Sequence, residues 1–512
     1  MRGIDHMLKE AIDAGRGEHP ALLLEDGAAL TYAQLEQRVA TTARELASAG
    51  LATGERVALV GENSADMVVC LFAAMRAGGW AVPLNARMSA GEIDAICAHA
   101  EPRLVYVATA ASAEASAHAQ RIGAATTLEA LPQGRLWRSD RPGARAEAGD
   151  AQDPGGVALM VYTSGSTGTP KGVMLTHAGL RFVTERSLQQ QVVVPDDVVY
   201  HALPISHTFG LITALMGAVR AGATLRLCGR FSAADLGEAV ASGAVTAVMG
   251  VPAMYARLRE WAHEHGRRLA PNRLRLAYIG GSLVDATRKA QTEALLGIRL
   301  HHGYGLSEAG PVATRTIGHA APSELTAGWP VPGVEVEVRD ARGRALPQGE
   351  QGEIWVRGPS VMKGYFRDPV QTAAAIDAQG WLHTGDIGCF GPQGDLSIVG
   401  RIKEMIIRGG FNFYPAEVEK AIAAFPDVAQ SAVVGCSVGD DEQVVAYVEP
   451  AAGRGVDPRA LDAFLRERLA PYKVPSRVVV LDRLPASGTG KLLKAKLKEM
   501  AAALVASTEE RA

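Results

Sequence analysis

Residues 162–172 read YTSGSTGTPKG, a run that gathers three glycines, several hydroxyls and one lysine behind a predicted strand. Glycine lets a backbone come close to a ligand. Successive N–H groups and hydroxyls can wrap a phosphate, and a lysine adds charge. Thr163, Ser164, Gly165, Ser166, Thr167, Gly168 and Lys171 are therefore candidate phosphate ligands. A generic Gly/Ser run is usually a plain surface loop, but the strand before it and the lysine near its end favour phosphate. A Walker A loop requires GxxxxGK[ST]. Counting on from Gly165 puts Pro170 at the second glycine, and GTGK at 488–491 has Pro485 at the first, so a P-loop kinase or ATPase is disfavoured.

Further segments hold residues able to do chemistry. HHGYGLSE at 301–308 follows a predicted strand and ends in Glu308, whose hard oxygens suit Mg2+ beside phosphate. WLHTGDI at 381–387 carries Asp386, and GRIK at 400–403 carries Arg401 and Lys403. Gly280, Gly281 and Ser282 end another strand, and RGG at 408–410 follows a short apolar run. PISHTFG at 204–210 places His207 among apolar neighbours, and PASGTGKL at 485–492 holds Lys491. Taken singly, most have a bland reading: a turn aspartate, a solvated lysine or glutamate, a satisfied core histidine. Lys494, Lys496 and Lys498 read as solvated decoration.

Together, and in this order from Leu30-Thr31-Tyr32 to Lys491, these segments resemble the adenylate-forming superfamily of acyl-CoA synthetases, peptide-synthetase adenylation domains and luciferases. The resemblance implies ATP, Mg2+ and coenzyme A as cofactors and a small-molecule carboxylic acid, fatty or aromatic, as substrate. It puts the nucleotide against His302, Gly303, Tyr304 and Gly305, with Tyr304 near the adenine and Ser307 on phosphate. Glu308 would hold Mg2+, Asp386 and Arg401 the ribose, and Gly281 and Ser282 the border between adenine and acyl pocket. His207 would gate that pocket, with Ser206 standing where relatives often have an aromatic. Lys403 would be the hinge, Gly409 and Gly410 would border the pantetheine tunnel, and Lys491 would bridge carboxylate and α-phosphate. No acidic residue occurs in 204–210 to pair with a substrate ammonium, and no carrier domain is expected to follow, which weighs against the runner-up, loading of an acyl or amino acid onto a carrier protein. A catalytically silent nucleotide-binding homologue would be expected to lack Lys491 or Glu308.

The elements that must hold these groups alternate. Arg56–Gly61, 80–84, 104–108 and 157–162 read as strands and 64–77 and 90–100 as helices; strands recur at 198–203, 224–228, 245–251, 275–279 and 298–302. Such alternation predicts a mostly parallel sheet covered by helices. From 326 to 365, short alternating runs read as a small antiparallel β lobe, and 140–156 as a loop. After residue 400 a mixed tail reads as helix 415–424, strands 431–434 and 443–448, and helix 457–469. The expected fold is α/β: a large N-terminal domain, 1–402, of parallel-rich αβ subdomains plus a β lobe, and a small mobile α+β C-terminal domain, 403–512.

Composition narrows the class. In 512 residues, 52 basic and 55 acidic side chains leave a net charge of −3, with no general pull toward nucleic acid or an anionic membrane. Five scattered cysteines without a CxxC pair argue against a disulfide frame or a zinc site and for a cytoplasmic setting. The first 20 residues lack a signal-peptide core, and the apolar stretch near 67–84 is too interrupted to span a bilayer. A homodimer is compatible with this reading.

Overall fold

The computed structural model describes residues 3–139, 156–164, 170–282, 286–319, 326–408, 411–438, 441–451, 453–486 and 492–509. Among these residues the chain builds two large sheets, a four-stranded antiparallel lobe and a C-terminal α+β body. One sheet has nine strands, of which the six from Leu300–Tyr304 across to Pro20–Leu23 run parallel. The other has eight, with Val157–Ser164, Trp80–Asn85, Arg56–Gly61 and Leu104–Val107 parallel at its centre. Every residue of Arg56–Gly61 and Trp80–Asn85 is buried, as expected of strands covered on both faces.

Helix starts follow local chemistry. Ser64 accepts from the Met67 amide to open Ala65–Arg76, and Ser89 forms a capping box with Glu92. Thr31 does the same with Gln34. The next residue, Tyr32, is fully buried and donates its hydroxyl to the Ala223 carbonyl at 2.6 Å. The Leu30-Thr31-Tyr32 motif is thus a cap plus a strut joining helix Tyr32–Ser48 to the nine-stranded sheet.

One expectation needs correction. The antiparallel lobe does not end at 365. Its strands are Glu335–Arg339, Gly352–Arg357, Leu382–Phe390 and Leu396–Arg401. Gly364–Tyr365 instead pairs with Pro170–Thr176 at the edge of the eight-stranded sheet. Alternation alone cannot say which sheet edge a two-residue strand joins. After the strand Leu104–Val107, Ser112 caps helix Ala113–Ile122, and Gly123 ends it at φ +69°. The proposed loop at 140–156 lies outside the described residues but for Gly156.

The C-terminal body has its own cores. On strand Val428–Val438, Val433 packs with Val418, Ile422 and Leu461, while Ala432 and Val434 pack with Leu497 and Ala501 on the opposite face. Arg288 donates to the Val428 carbonyl at 3.2 Å, tying this body to the N-terminal part. Among the described residues, no helix is long and apolar enough to cross a membrane.

Candidate active site

The carboxyl ends of parallel strands form the natural crevice of an α/β sheet. Strand Leu300–Tyr304 ends there with Tyr304, and the antiparallel lobe supplies what Tyr304 meets. Asp386 and Arg401 are cross-strand partners, so their side chains share a face. Arg401 donates to Asp386 Oδ1 at 2.6 Å and the Tyr304 hydroxyl to Oδ2 at 2.7 Å. Asp386 is buried at 5 % exposure, and its own amide donates to Thr384 Oγ1. Burial pushes the Tyr304 phenol well up, and the Asp386 charge pushes it further. A fixed carboxylate with two acceptor oxygens suits a vicinal diol, and a half-exposed guanidinium beside it suits the oxygens of a sugar or phosphate.

His302 stands on the same strand as a support. It is buried and its Nδ1 meets the Thr326 carbonyl at 3.3 Å, while burial lowers its pKa to about 4. The carbonyl requires that Nδ1 be the protonated nitrogen. Gly303 and Gly305 have packing reasons to lack a side chain. A Cβ on Gly303 would lie 1.9 Å from the Tyr278 hydroxyl, and one on Gly305 1.7 Å from the Pro311 carbonyl oxygen. The nearest demand on these glycines comes from protein atoms.

A second cluster surrounds Glu308, in the turn Ser307–Ala309. Tyr365 donates to its Oε1 at 3.0 Å. Lys171 lies 5.0 Å over the same tyrosine ring and donates to Gln371 Oε1 at 2.9 Å. Lys171 and Thr163 are cross-strand partners on the two strands that flank the phosphate run. A hollow of about 240 Å³ opens here, bordered by Lys171, Tyr365 and Gln371. Gly165, Ser166, Thr167 and Gly168, and the side chain of Ser164, lie outside the described residues. Ser307 Oγ shares a 3.2 Å hydrogen bond with Thr208 Oγ1, linking this cluster to the 204–210 segment. The donor set at Glu308 is a single hard carboxylate, which fits a Mg2+ ion that draws its other ligands from phosphate and water. Among the described residues, no group of three or more His, Cys, Asp or Glu side chains gathers as a metal cage.

The 204–210 segment forms a third side. His207 is exposed whereas Ser206 and Thr208 flank it buried, so His207 is no core histidine. The buried core histidine is His201, whose two ring nitrogens have no partner among the described residues. Phe209 stands 6.0 Å from the Tyr278 ring, and 3.4 Å from where a Gly280 side chain would begin. Gly281, at φ +83°, and Ser282 are exposed at the strand end. Tyr255 is buried beneath this side, its hydroxyl between the Val248 and Tyr278 carbonyls at 3.1 and 3.0 Å.

On the C-terminal side, Lys403 is exposed in the turn Ile402–Glu404. Gly409 and Gly410 lie outside the described residues, between the paired strands Ile406–Arg408 and Phe411–Phe413. Ile407 and Phe411 beside them are 48 % and 55 % exposed, an apolar surface. Lys491 also lies outside the described residues; an Ala486–Leu492 bridge flanks it. Lys494 is not decoration. It pairs with Glu404 at 2.6 Å and Glu419 at 2.9 Å. Burial alone would lower its pKa, but Glu419 and Glu404 hold it above the ordinary value.

Sequence reasoning missed Tyr365, Gln371, Thr208 and Thr384. Thr208 had a signal, since it lies within PISHTFG. Tyr365 and Gln371 had none, because their value depends on a sheet edge that pairing alone decides.

Comparison with known proteins completes the picture. The family described as AMP-binding enzyme matches residues 9–366, and AMP-binding enzyme C-terminal domain matches residues 417–491. The chain is 38% identical over 490 residues to a feruloyl-CoA synthase of Amycolatopsis sp, covering 94% of this chain and 96% of that one. It is 34% identical over 482 residues to an indoleacetate–CoA ligase of Aromatoleum aromaticum, covering 92% and 93%. Its fold is similar to ATP-bound MatB from Rhodopseudomonas palustris, with TM-score 0.84, 31% identity, and 98% and 99% of the two chains covered. The apo form of MatB gives a TM-score of 0.73 over the same coverage.

Proposed function

The chain belongs to the family of AMP-binding enzymes and is an AMP-forming acyl-CoA synthetase, and on that premise we propose that it activates a fatty or, in preference, an aromatic carboxylic acid, using Mg2+ held at Glu308. The observation that carries the site assignment is the Tyr304–Asp386–Arg401 cluster, where three groups from two sheets meet at the crevice. The preference for an aromatic acid draws on the acids named in the feruloyl and indoleacetate relatives. The aromatic side chains of Phe209 and Tyr278 beside Gly280 support it.

In this reading Asp386 and Arg401 hold the ribose and Tyr304 lies along the adenine. The 163–171 run and Lys171 bind the phosphates. Carboxylate and triphosphate repel one another, so the enzyme must align them and offset the charge that develops on the leaving pyrophosphate. Mg2+, when bound, would supply charge neutralisation on those oxygens. Lys491 would bridge the carboxylate and the α-phosphate. The adenylate so formed is water-sensitive, and closure of the C-terminal body would exclude water. Thiolation then needs Lys491 withdrawn and the Gly409–Gly410 side presented to coenzyme A, by rotation of residues 403–512 against 1–402 about Lys403. The exposed Ile407 and Phe411 offer apolar surface for the pantetheine arm. The higher TM-score to ATP-bound than to apo MatB supports an adenylating arrangement for the form described above. Five unpaired cysteines support a reducing, cytoplasmic setting.

The test is pyrophosphate release from ATP and Mg2+ across aliphatic and aromatic acids, with and without coenzyme A. Release driven by an aromatic acid, with thioester formed only when coenzyme A is present, is expected. Release without consumption of coenzyme A would point to a carrier-protein thiol instead.

A further inference from the structure

Among the described residues, Arg315 is the largest fully buried side chain with polar atoms left unpartnered. Its strand, Thr314–Arg315, lies beside Leu300–Tyr304, and its side chain is 2 % exposed. Among the described residues it makes one hydrogen bond, from Nη1 to Ser187 Oγ at 3.4 Å. Nε and Nη2 are buried without a partner among the described residues. An arginine is always charged, and native interiors do not leave a guanidinium uncompensated without reason. Each buried polar group without a partner calls for an explanation.

Its position suggests what compensates it. Arg315 is the cross-strand partner of Gly303, so both point to the same face of the sheet. The Tyr278 hydroxyl lies over that face, 1.9 Å from the place of a Gly303 Cβ. Burial raises the Tyr278 phenol and the Arg315 charge opposes the rise, which is the electrostatic sign of two neighbours. Tyr278 meets Phe209 of the 204–210 segment, and Phe209 meets Gly280. Thr213, about one turn beyond Phe209 on the same helical segment, is also buried, with its hydroxyl unpartnered among the described residues. Tyr304, next along the strand from Gly303, points to the other face, where Asp386 holds it. The nucleotide cluster and the Arg315 cluster therefore lie on opposite faces of one strand. Phe209 and Tyr278, which the reading above sets beside the acid, lie with Arg315 on its face.

We propose that Arg315 closes the far end of the acyl pocket and selects acids that carry a second oxygen acceptor remote from the carboxyl group being activated. The guanidinium fork matches a planar, bidentate acceptor, so a second carboxylate suits it best and a phenolic or carbonyl oxygen suits it in part. An acid ending in hydrocarbon would leave the fork as unsatisfied as it stands now. This deepens the aromatic-acid reading above and rests on it.

The experiment uses the full chain and matched acids: cinnamate, 4-hydroxycinnamate and 4-carboxycinnamate, then hexanoate and hexanedioate. kcat/KM for pyrophosphate release is expected to favour the acceptor-bearing member of each set by roughly 100-fold. In Arg315→Met the preference should vanish through KM for the acid, with KM for ATP unmoved. Arg315→Lys, which keeps the charge but loses the fork, should retain part of it. Carboxylate over hydroxyl identifies an anion as the natural occupant; hydroxyl over carboxylate identifies a neutral acceptor, and either supports the site. A wild-type preference within threefold overturns the proposal, as does an Arg315→Met loss that is equal for every acid. If Arg315→Met does not fold, the wild-type ratios alone decide. Calorimetric binding of the same acids without turnover separates the two readings. Selective binding with no pyrophosphate release would leave Arg315 in place and sink the ligase assignment.

Discussion

Tyr304 and Asp386, 82 positions apart, share a 2.7 Å hydrogen bond that joins the end of a parallel strand to the antiparallel lobe. The aspartate is thereby held between a phenol and a guanidinium before any nucleotide arrives. Asp386→Ala should raise KM for ATP by about 10- to 100-fold, the usual worth of hydrogen bonds to a charged group, and leave KM for the acid little changed. Tyr304→Phe should cost less, since the ring remains. Steady-state kinetics with each substrate varied decides this; equal effects on both KM values would contradict a ribose role.

Glu308 and Tyr365 make a pair that sequence separation hides. Glu308→Gln keeps the shape and removes the charge, so the Mg2+ concentration needed for half-maximal pyrophosphate release should rise by about tenfold or more. Tyr365→Phe removes one hydrogen bond, worth about 1 kcal/mol, and should shift the same curve about fivefold. A Mg2+ titration unchanged in Glu308→Gln would remove it from the metal site.

Two lysines near the C-terminus should behave differently. Lys491→Ala should lower adenylate formation by about 100-fold or more while sparing thiolation of a supplied acyl-adenylate. Lys494→Met should instead weaken the tie among Glu404, Glu419 and the last helix, at roughly 1–3 kcal/mol, and depress both half-reactions together. Single-turnover assays of each half-reaction, with a thermal melt, distinguish them. Matching profiles for the two variants would mean that the roles are misassigned.

Gly305→Ala should be destabilising whatever binds nearby. The new methyl would meet a backbone carbonyl that has no side-chain torsion with which to retreat, so the expected cost is about 1–3 kcal/mol. Urea unfolding of the ligand-free protein reads it. No loss of stability there would return the glycine's explanation to the nucleotide.

His201 predicts a pH dependence. Burial lowers its pKa to about 4, and His301 and His302 are lowered to about 4 as well. An unfolded histidine titrates near 6.5. Between these values the unfolded chain takes up a proton that the folded one refuses. Stability contributed by the neutral rings is therefore complete above about pH 6.5 and is lost as pH falls toward 4. His201→Leu, similar in size and needing no partner, should flatten that loss by on the order of 1–3 kcal/mol between pH 7 and 4.5. Denaturation at the two pH values checks it, and an unchanged slope would acquit His201.

The sequence by itself determined which residues could do the chemistry. A phosphate run, a GYG followed by a hydroxyl and a glutamate, and an aspartate after TG are local patterns, legible because a loop's chemistry depends on neighbours in the chain. Strands such as Arg56–Gly61 were equally legible, since burial on both faces leaves a continuous apolar run. Tertiary structure decided what those residues touch. Tyr365 joined Glu308 only because a two-residue strand found the edge beside Pro170–Thr176. Lys494 read as a surface charge until folding brought two glutamates to it from 90 and 75 positions away. Arg315 carried no signal at all: a charged residue in a two-residue strand says nothing about its depth. Contacts between distant segments are set by packing and pairing, and no periodicity within either segment encodes them.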